Sequence, residues 1–152
     1  MPKPKGLRSA EEVVPRLGVK AGHPALRVGD VALYDKPIEH LAGQLHRADL
    51  ELPLSFHAAR YGLVLCFALE RCDARALAKD LIRVCHPEGS VWTVVWKKAF
   101  LRPGAPDWDE IQRAGLATGW VDNKILSLGD EVYATRFVKR RNPATAGSVK
   151  KA

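Results

Sequence analysis

Gly29 and Asp30, Glu70 and Arg71, and Lys97 and Lys98 each follow an apolar run that reads as a β-strand. Ligands of open α/β sheets bind outside the carboxyl ends of the parallel strands, so residues in these positions share one crevice if the strands are neighbours. The chemistry they suggest is anion binding. Arg71 can engage a carboxylate or phosphate through two parallel donors, and the lysines add point charge. The same six residues also fit plain solvated loop ends, with Arg71 or Lys98 paired to Glu70 at little energetic gain.

No catalytic or metal-binding set accompanies them. His23, His40, His46, His57 and His86 have neither ligand spacing nor a neighbouring hydroxyl or thiol placed as a nucleophile. His57, between two apolar stretches, is a residue that could overhang the crevice, but it receives no role. Cys66 falls in an apolar run and Cys85 on the apolar side of an expected helix, where thiols act as small hydrophobes. Cys72, Cys85 and His86 lack the paired spacing of a zinc site, and an odd number of cysteines argues against a disulfide framework. Trp92 and Trp96 are four apart on one strand, hence on one face and in the core. The four tryptophans are not interleaved with basic residues as a base-stacking platform requires.

The elements that must position these residues are legible from periodicity. Tyr61 to Leu69 (YGLVLCFAL), Asp73 to Cys85 (DARALAKDLIRVC) and Ser90 to Trp96 (SVWTVVW) spell a strand, a helix and a second strand, with HPEG as the break between helix and strand. Such a unit is parallel with a right-handed crossover. Ahead of it, Ser9 and Glu12 have capping-box spacing for a short helix ended by Gly18. Ala25 to Val28 reads as a short strand, with Val31 to Tyr34 continuing or pairing with it. Pro37 as first helical residue, followed by Ile38, Leu41, Ala42 and Leu45, suggests a helix to about Ala48, and alternating Leu50, Leu52 and Leu54 an edge strand. After the crossover, Asp107 and Glu110 cap a helix through Ala114 that Gly115 and Gly119 end. Val121 to Leu128 and Glu131 to Val138 then form an antiparallel hairpin turned at Gly129-Asp130, of type II′.

The chain has 152 residues, 47% hydrophobic and 27% charged, which is one ordinary globular domain. Its formal charge of +7 belongs to the ends: eight of the 24 basic residues lie in 1–8 and 139–152, where there is no acid. The expected organisation is a basic flexible tail over 1–8, one α/β domain over 9–141 and a second basic tail over 142–152. Such tails either solubilise the protein or contact nucleic acid with strong salt dependence. No apolar run reaches the length of a membrane span and no signal segment follows the N-terminus, so the expected setting is the cytoplasm, without a membrane partner.

A parallel αβ sheet finished by a helix and a hairpin resembles the C-terminal half of the class I S-adenosylmethionine-dependent methyltransferase fold. In this resemblance RYGLVLCFAL is similar to the fold's fourth strand, HPEG to the turn before the fifth, and the hairpin to the sixth and seventh. The stretches SVWTVVWKK and EIQRAGLATGWVDNKILSLGDEVYATRFVKRR also resemble a small bacterial family classed as a domain of unknown function. The resemblance implies an open, mostly parallel, Rossmann-like sheet with helices on both faces. It also implies that a cofactor site would need a first strand ending in an acid and a glycine-rich loop, because only glycine lets backbone amides approach the ligand closely. Leu26 to Ala32 contains a single glycine, and only Asp49 and Glu51 stand where an acid could take the ribose hydroxyls. The expectation is therefore a non-catalytic binding or interaction module, without a catalytic residue or an assigned cofactor, taking an anionic small molecule or a protein partner. The alternatives are an S-adenosylmethionine-dependent methyltransferase with an atypical cofactor loop, and a nucleic-acid-associated protein working through its tails.

Overall fold

The computed structural model describes residues 3–139. The elements run α1 (Ala10–Leu17), β1 (Ala25–Val28), α2 (Asp35–Ala42), β2 (Leu45–Ala48), β3 (Tyr61–Phe67), α3 (Ala74–Val84), β4 (Cys85–Trp96), α4 (Trp108–Ala117), β5 (Trp120–Ser127) and β6 (Val132–Lys139). The six strands form one sheet in the order β2-β1-β3-β4-β6-β5. The first four are parallel, and β6 pairs antiparallel with both β4 and β5.

Side chains alternate between two buried layers. Leu63, Leu65, Trp92, Val94 and Trp96 pack with α1 and α2, while Val64, Cys66, Val91 and Val95 pack with α3 and α4. Trp92 and Trp96 share a face, as their spacing requires, and each buried indole is satisfied: Trp92 Nε1 donates to the Leu17 carbonyl at 3.0 Å and Trp96 Nε1 to the Leu69 carbonyl at 2.9 Å. This matters because an unpaired buried donor costs roughly 1–3 kcal/mol. Helix starts follow the expected caps. Ser9 accepts from the Glu12 amide, Asp73 from the Arg75 and Ala76 amides, and Asp107 and Glu110 form a reciprocal capping box.

Several local expectations are corrected. The helix expected to reach Ala48 ends at Ala42, because Gly43 takes a left-handed conformation (φ 95°) and donates its amide to the Glu39 carbonyl. Leu45–Ala48 then pairs with β1, so the edge strand is this segment and not Leu50 to Leu54. Val31 to Tyr34 is not a strand but the turn into α2, and Pro37 is that helix's third residue, not its first. Cys85 begins β4 and does not end α3; HPEG belongs to β4 as an irregularity, with Tyr61 opposite Cys85 but Leu63 opposite Ser90. Gly115 lies inside α4, where its missing side chain admits the Phe137 ring. The hairpin connection spans Leu128 to Glu131 and is closed by the Leu128 amide on the Val132 carbonyl, wider than a two-residue turn. Two strands precede β3, not the three that the fold resemblance implied.

Candidate functional site

Strands β1, β3 and β4 are neighbours, so the topology gathers the ends of all three at one edge. Gly29 follows β1 with φ 100°, a conformation glycine tolerates, and an added Cβ would lie 2.8 Å from the Phe67 carbonyl oxygen. The loop after β1 is thus pressed onto the end of β3. Asp30 is exposed, 4.0 Å from Lys3, with both side chains more than half exposed, a pair of negligible strength. Glu70 is half-buried and Arg71 exposed, and Arg71 lies against Gly104, whose missing side chain leaves room for the guanidinium. The Lys97 ammonium donates to the Gly129 carbonyl at 2.8 Å and the Ser127 hydroxyl at 3.3 Å, while exposed Lys98 opens a short 3-10 turn. The six residues share an edge, but Lys97 is turned to the hairpin and Arg71 to the loop around Gly104. No ion pair joins Glu70 to a cation among the described residues.

His57 lies elsewhere. It is exposed in the segment entering β3, at the amino end of that strand, where Ala59 and Arg60 donate their amides to the Arg83 and Val84 carbonyls at the end of α3. The other Trp, Cys and His residues offer no metal site: no group of three or more metal-ligating side chains occurs among the described residues. Cys66 and Cys85 are buried. Burial pushes the Cys85 thiol up to about 12, and burial together with Asp73, Glu110 and Glu70 pushes Cys72 up to about 11, so neither behaves as a nucleophile.

Three features at the strand-end edge were not anticipated. The first is a buried ion network. Arg27, in the middle of β1, grips Asp35 at the start of α2 through both carboxylate oxygens, at 3.2 and 2.8 Å. Arg47 of β2, paired with Arg27 in the parallel register, adds a third contact at 3.0 Å. The signal was present in ALRV: a cation inside a buried strand requires a partner. The second is the turn itself. Val31 and Tyr34 are buried, 7% and 1% exposed, in the same apolar cluster as Phe67, Leu69, Trp96 and Leu128. Burial, then Glu12, pushes the Tyr34 phenol up to about 12.

The third feature is the segment 3–8, expected as a flexible tail. The Arg8 carbonyl accepts from the Tyr34 hydroxyl at 2.8 Å, and the Arg8 amide donates to the Leu128 carbonyl at 2.7 Å. Leu7 forms an antiparallel bridge with Gly129, the Lys5 amide donates to Glu131 at 2.8 Å, and Pro4 is buried. These contacts reach from the β1–α2 turn to the β5–β6 turn, which flank the ends of β3 and β4. Residues 140–152, including the tail expected over 142–152, lie outside the described residues.

No family model matches the chain, and no curated protein matches it in sequence. Solved structures do. An S-adenosylmethionine-dependent methyltransferase from Aquifex aeolicus superposes with a TM-score of 0.64 at 14% identity, covering 86% of this chain and 89% of that one. A putative type 11 methyltransferase from Sulfolobus solfataricus gives 0.65 at 13% identity, covering 90% and 95%. Geranyl diphosphate C-methyltransferase from Streptomyces coelicolor A3(2), in complex with Mg2+, geranyl diphosphate and S-adenosyl-L-homocysteine, gives 0.65 at 10% identity, covering 86% and 79%. The fold is that of the class I S-adenosylmethionine-dependent methyltransferases. The likeness extends over nearly the whole chain and not only its second half.

The fold implies a cofactor, so its site can be tested against the residues present. Asp49 directly follows β2, is exposed, and suits a ribose-binding acid. The loop after β1 does not fit. The strand ends in Val28 and not in an acid, and Arg27 beside it is committed to Asp35. After Gly29 the loop has no further glycine, and two of its side chains are folded into the core.

Proposed function

We propose that this protein is a non-catalytic binding or interaction module built on the methyltransferase fold. The observation that carries the reading is the burial of Val31 and Tyr34 in the β1–α2 turn, with the Tyr34 hydroxyl bonded to the crossing N-terminal segment. To seat a nucleoside against the backbone, this turn must swing its side chains out. Re-exposing two such side chains costs about 3–6 kcal/mol. Because apparent affinity falls with the fraction of the competent state, that cost weakens binding by roughly 10²–10⁴-fold. A ligand of otherwise micromolar affinity would then bind with a Kd of roughly 0.1–10 mM.

Asp49 at the end of β2 supports a second reading, a methyltransferase with an atypical cofactor loop, in which the turn rearranges on binding. Calorimetric titration of the full chain with S-adenosylmethionine separates the two. The module reading expects no saturable heat below roughly 0.1 mM cofactor; a micromolar, stoichiometric isotherm establishes the second. We further propose that the protein works without a membrane partner and in the cytoplasm. No helix among the described residues is long and apolar enough to span a bilayer, which is consistent with that setting.

A further inference from the structure

On the sheet face opposite α1 and α2, the outer surfaces of α3 and α4 meet in an open groove of about 660 Å³. Its small or apolar lining comes from Ala76 and Ile82 of α3 and Ala114 and Ala117 of α4, and its polar lining includes Asp73, Arg83 and Thr118. Exposed Arg75 and Lys79 also line it, and an adjoining depression adds Arg113 beside Glu110.

The charges here are unequally committed. Asp73 accepts from two backbone amides, and the Glu110 carboxylate accepts from the Asp107 amide. Asp80 takes the Leu54 amide and the Arg83 guanidinium, and Arg83 also donates to the Phe56 and Leu54 carbonyls. Arg75, Lys79 and Arg113 form no ion pair among the described residues. Asp80 is thus spent inside the fold, and exposed Asp73 and Glu110 are engaged at helix starts, while exposed Arg75, Lys79 and Arg113 outnumber them around the groove.

We propose that this groove docks an acidic amphipathic helix of a protein partner. Alanines on both walls allow the close backbone approach of a third helix. Arg75 and Lys79 are one turn apart, about 6 Å along α3, the spacing of acids at i and i+4 on such a helix. The groove has no aromatic lining on which bases could stack, so a protein helix suits it better than single-stranded nucleic acid. This partner class rests on the interaction-module reading, but the groove's lining includes none of Gly29, Asp30, Glu70, Arg71, Lys97 and Lys98. Cofactor binding and helix docking are therefore separate outcomes.

The test uses isotope-labelled full-length protein and a Leu/Ala/Glu helical peptide about 18 residues long, about 27 Å, with glutamates at i and i+4 beside an apolar edge. A lysine-for-glutamate peptide and a single-stranded RNA are titrated in parallel. The expected result is saturable amide shifts confined to α3 and α4 with the acidic peptide alone. The R75E/K79E variant should bind it at least about tenfold more weakly and respond to the lysine peptide instead. Ala117→Trp, at an exposed position, should fill the groove and remove binding without changing charge. Absence of shifts at millimolar acidic peptide, equal shifts with the lysine peptide, or shifts at these helices from RNA alone would each overturn the proposal.

Discussion

Replacing Asp35 with alanine removes the acid that holds Arg27 of β1 and Arg47 of β2 to the start of α2. The Asp35 and Arg27 side chains are only 7% and 11% exposed, so the substitution strands a nearly buried guanidinium; Arg47, at 47%, can turn to water. Removing one member of a buried pair costs about 3–5 kcal/mol, against roughly 0–1 kcal/mol for an exposed one. Arg27 keeps its second contact, to the Gly29 carbonyl, which places the expected loss at the lower end, about 3 kcal/mol. For a chain of this size that lowers Tm by roughly 6–12 °C. Urea unfolding followed by circular dichroism and by tryptophan fluorescence measures it. Arg47→Ala should cost under about 1 kcal/mol. The R27M/D35L double variant should recover much of the loss, because no orphan charge then remains. If D35A is as stable as the parent, or if R47A costs as much as D35A, the assignment of the network's weight to the Arg27–Asp35 pair is refuted.

Gly115→Ala should destabilise by about 1–3 kcal/mol, since the new methyl meets the buried Phe137 ring, and G115A/F137L should recover part of this in denaturant titrations. Cys72, pushed up to about 11, should react with iodoacetamide at pH 8 roughly 100-fold more slowly in the native protein than in urea, read by mass spectrometry; equal rates would contradict it. Tyr34 and Cys85 are each pushed up to about 12, mainly by burial, so the native state holds protons that the unfolded chain has already released. Their contribution is complete below the ordinary tyrosine and thiol range and is lost as pH rises toward 12, at about 1.4 kcal/mol per pH unit for each group. Tyr34→Phe should flatten its share of that alkaline slope, measured by urea midpoints across the same window.

What was legible in the sequence follows from how local the determining physics is. The β3-α3-β4 unit could be read because YGLVLCFAL and SVWTVVW are continuous apolar runs and Asp73 caps its own helix. The Ser9 and Asp107 caps were legible for the same reason. The β2 region was not, because Leu41, Ala42 and Leu45 fit a helical stripe while pairing of Leu45–Ala48 with β1 is decided by partners distant in sequence. Gly43 was the available stop signal. The six strand-end residues were placed at one edge by topology alone, but Lys97's attachment to Gly129 and Arg71's seat beneath Gly104 depend on loops that no periodicity describes. The charge pattern of residues 3–8 suggested a tail, whereas buried Pro4 and the backbone bonds of Lys5 and Arg8 tie the segment across the strand ends.

The closed β1–α2 turn is tested most directly by following the amides of Gly29 to Asp35 by NMR during titration of the full chain with S-adenosyl-L-homocysteine. With Val31 and Tyr34 packed in the core, these amides should stay unmoved up to roughly 0.1 mM ligand. Saturable micromolar shifts centred on Gly29 and Asp30 would contradict the closed turn and establish a working cofactor site.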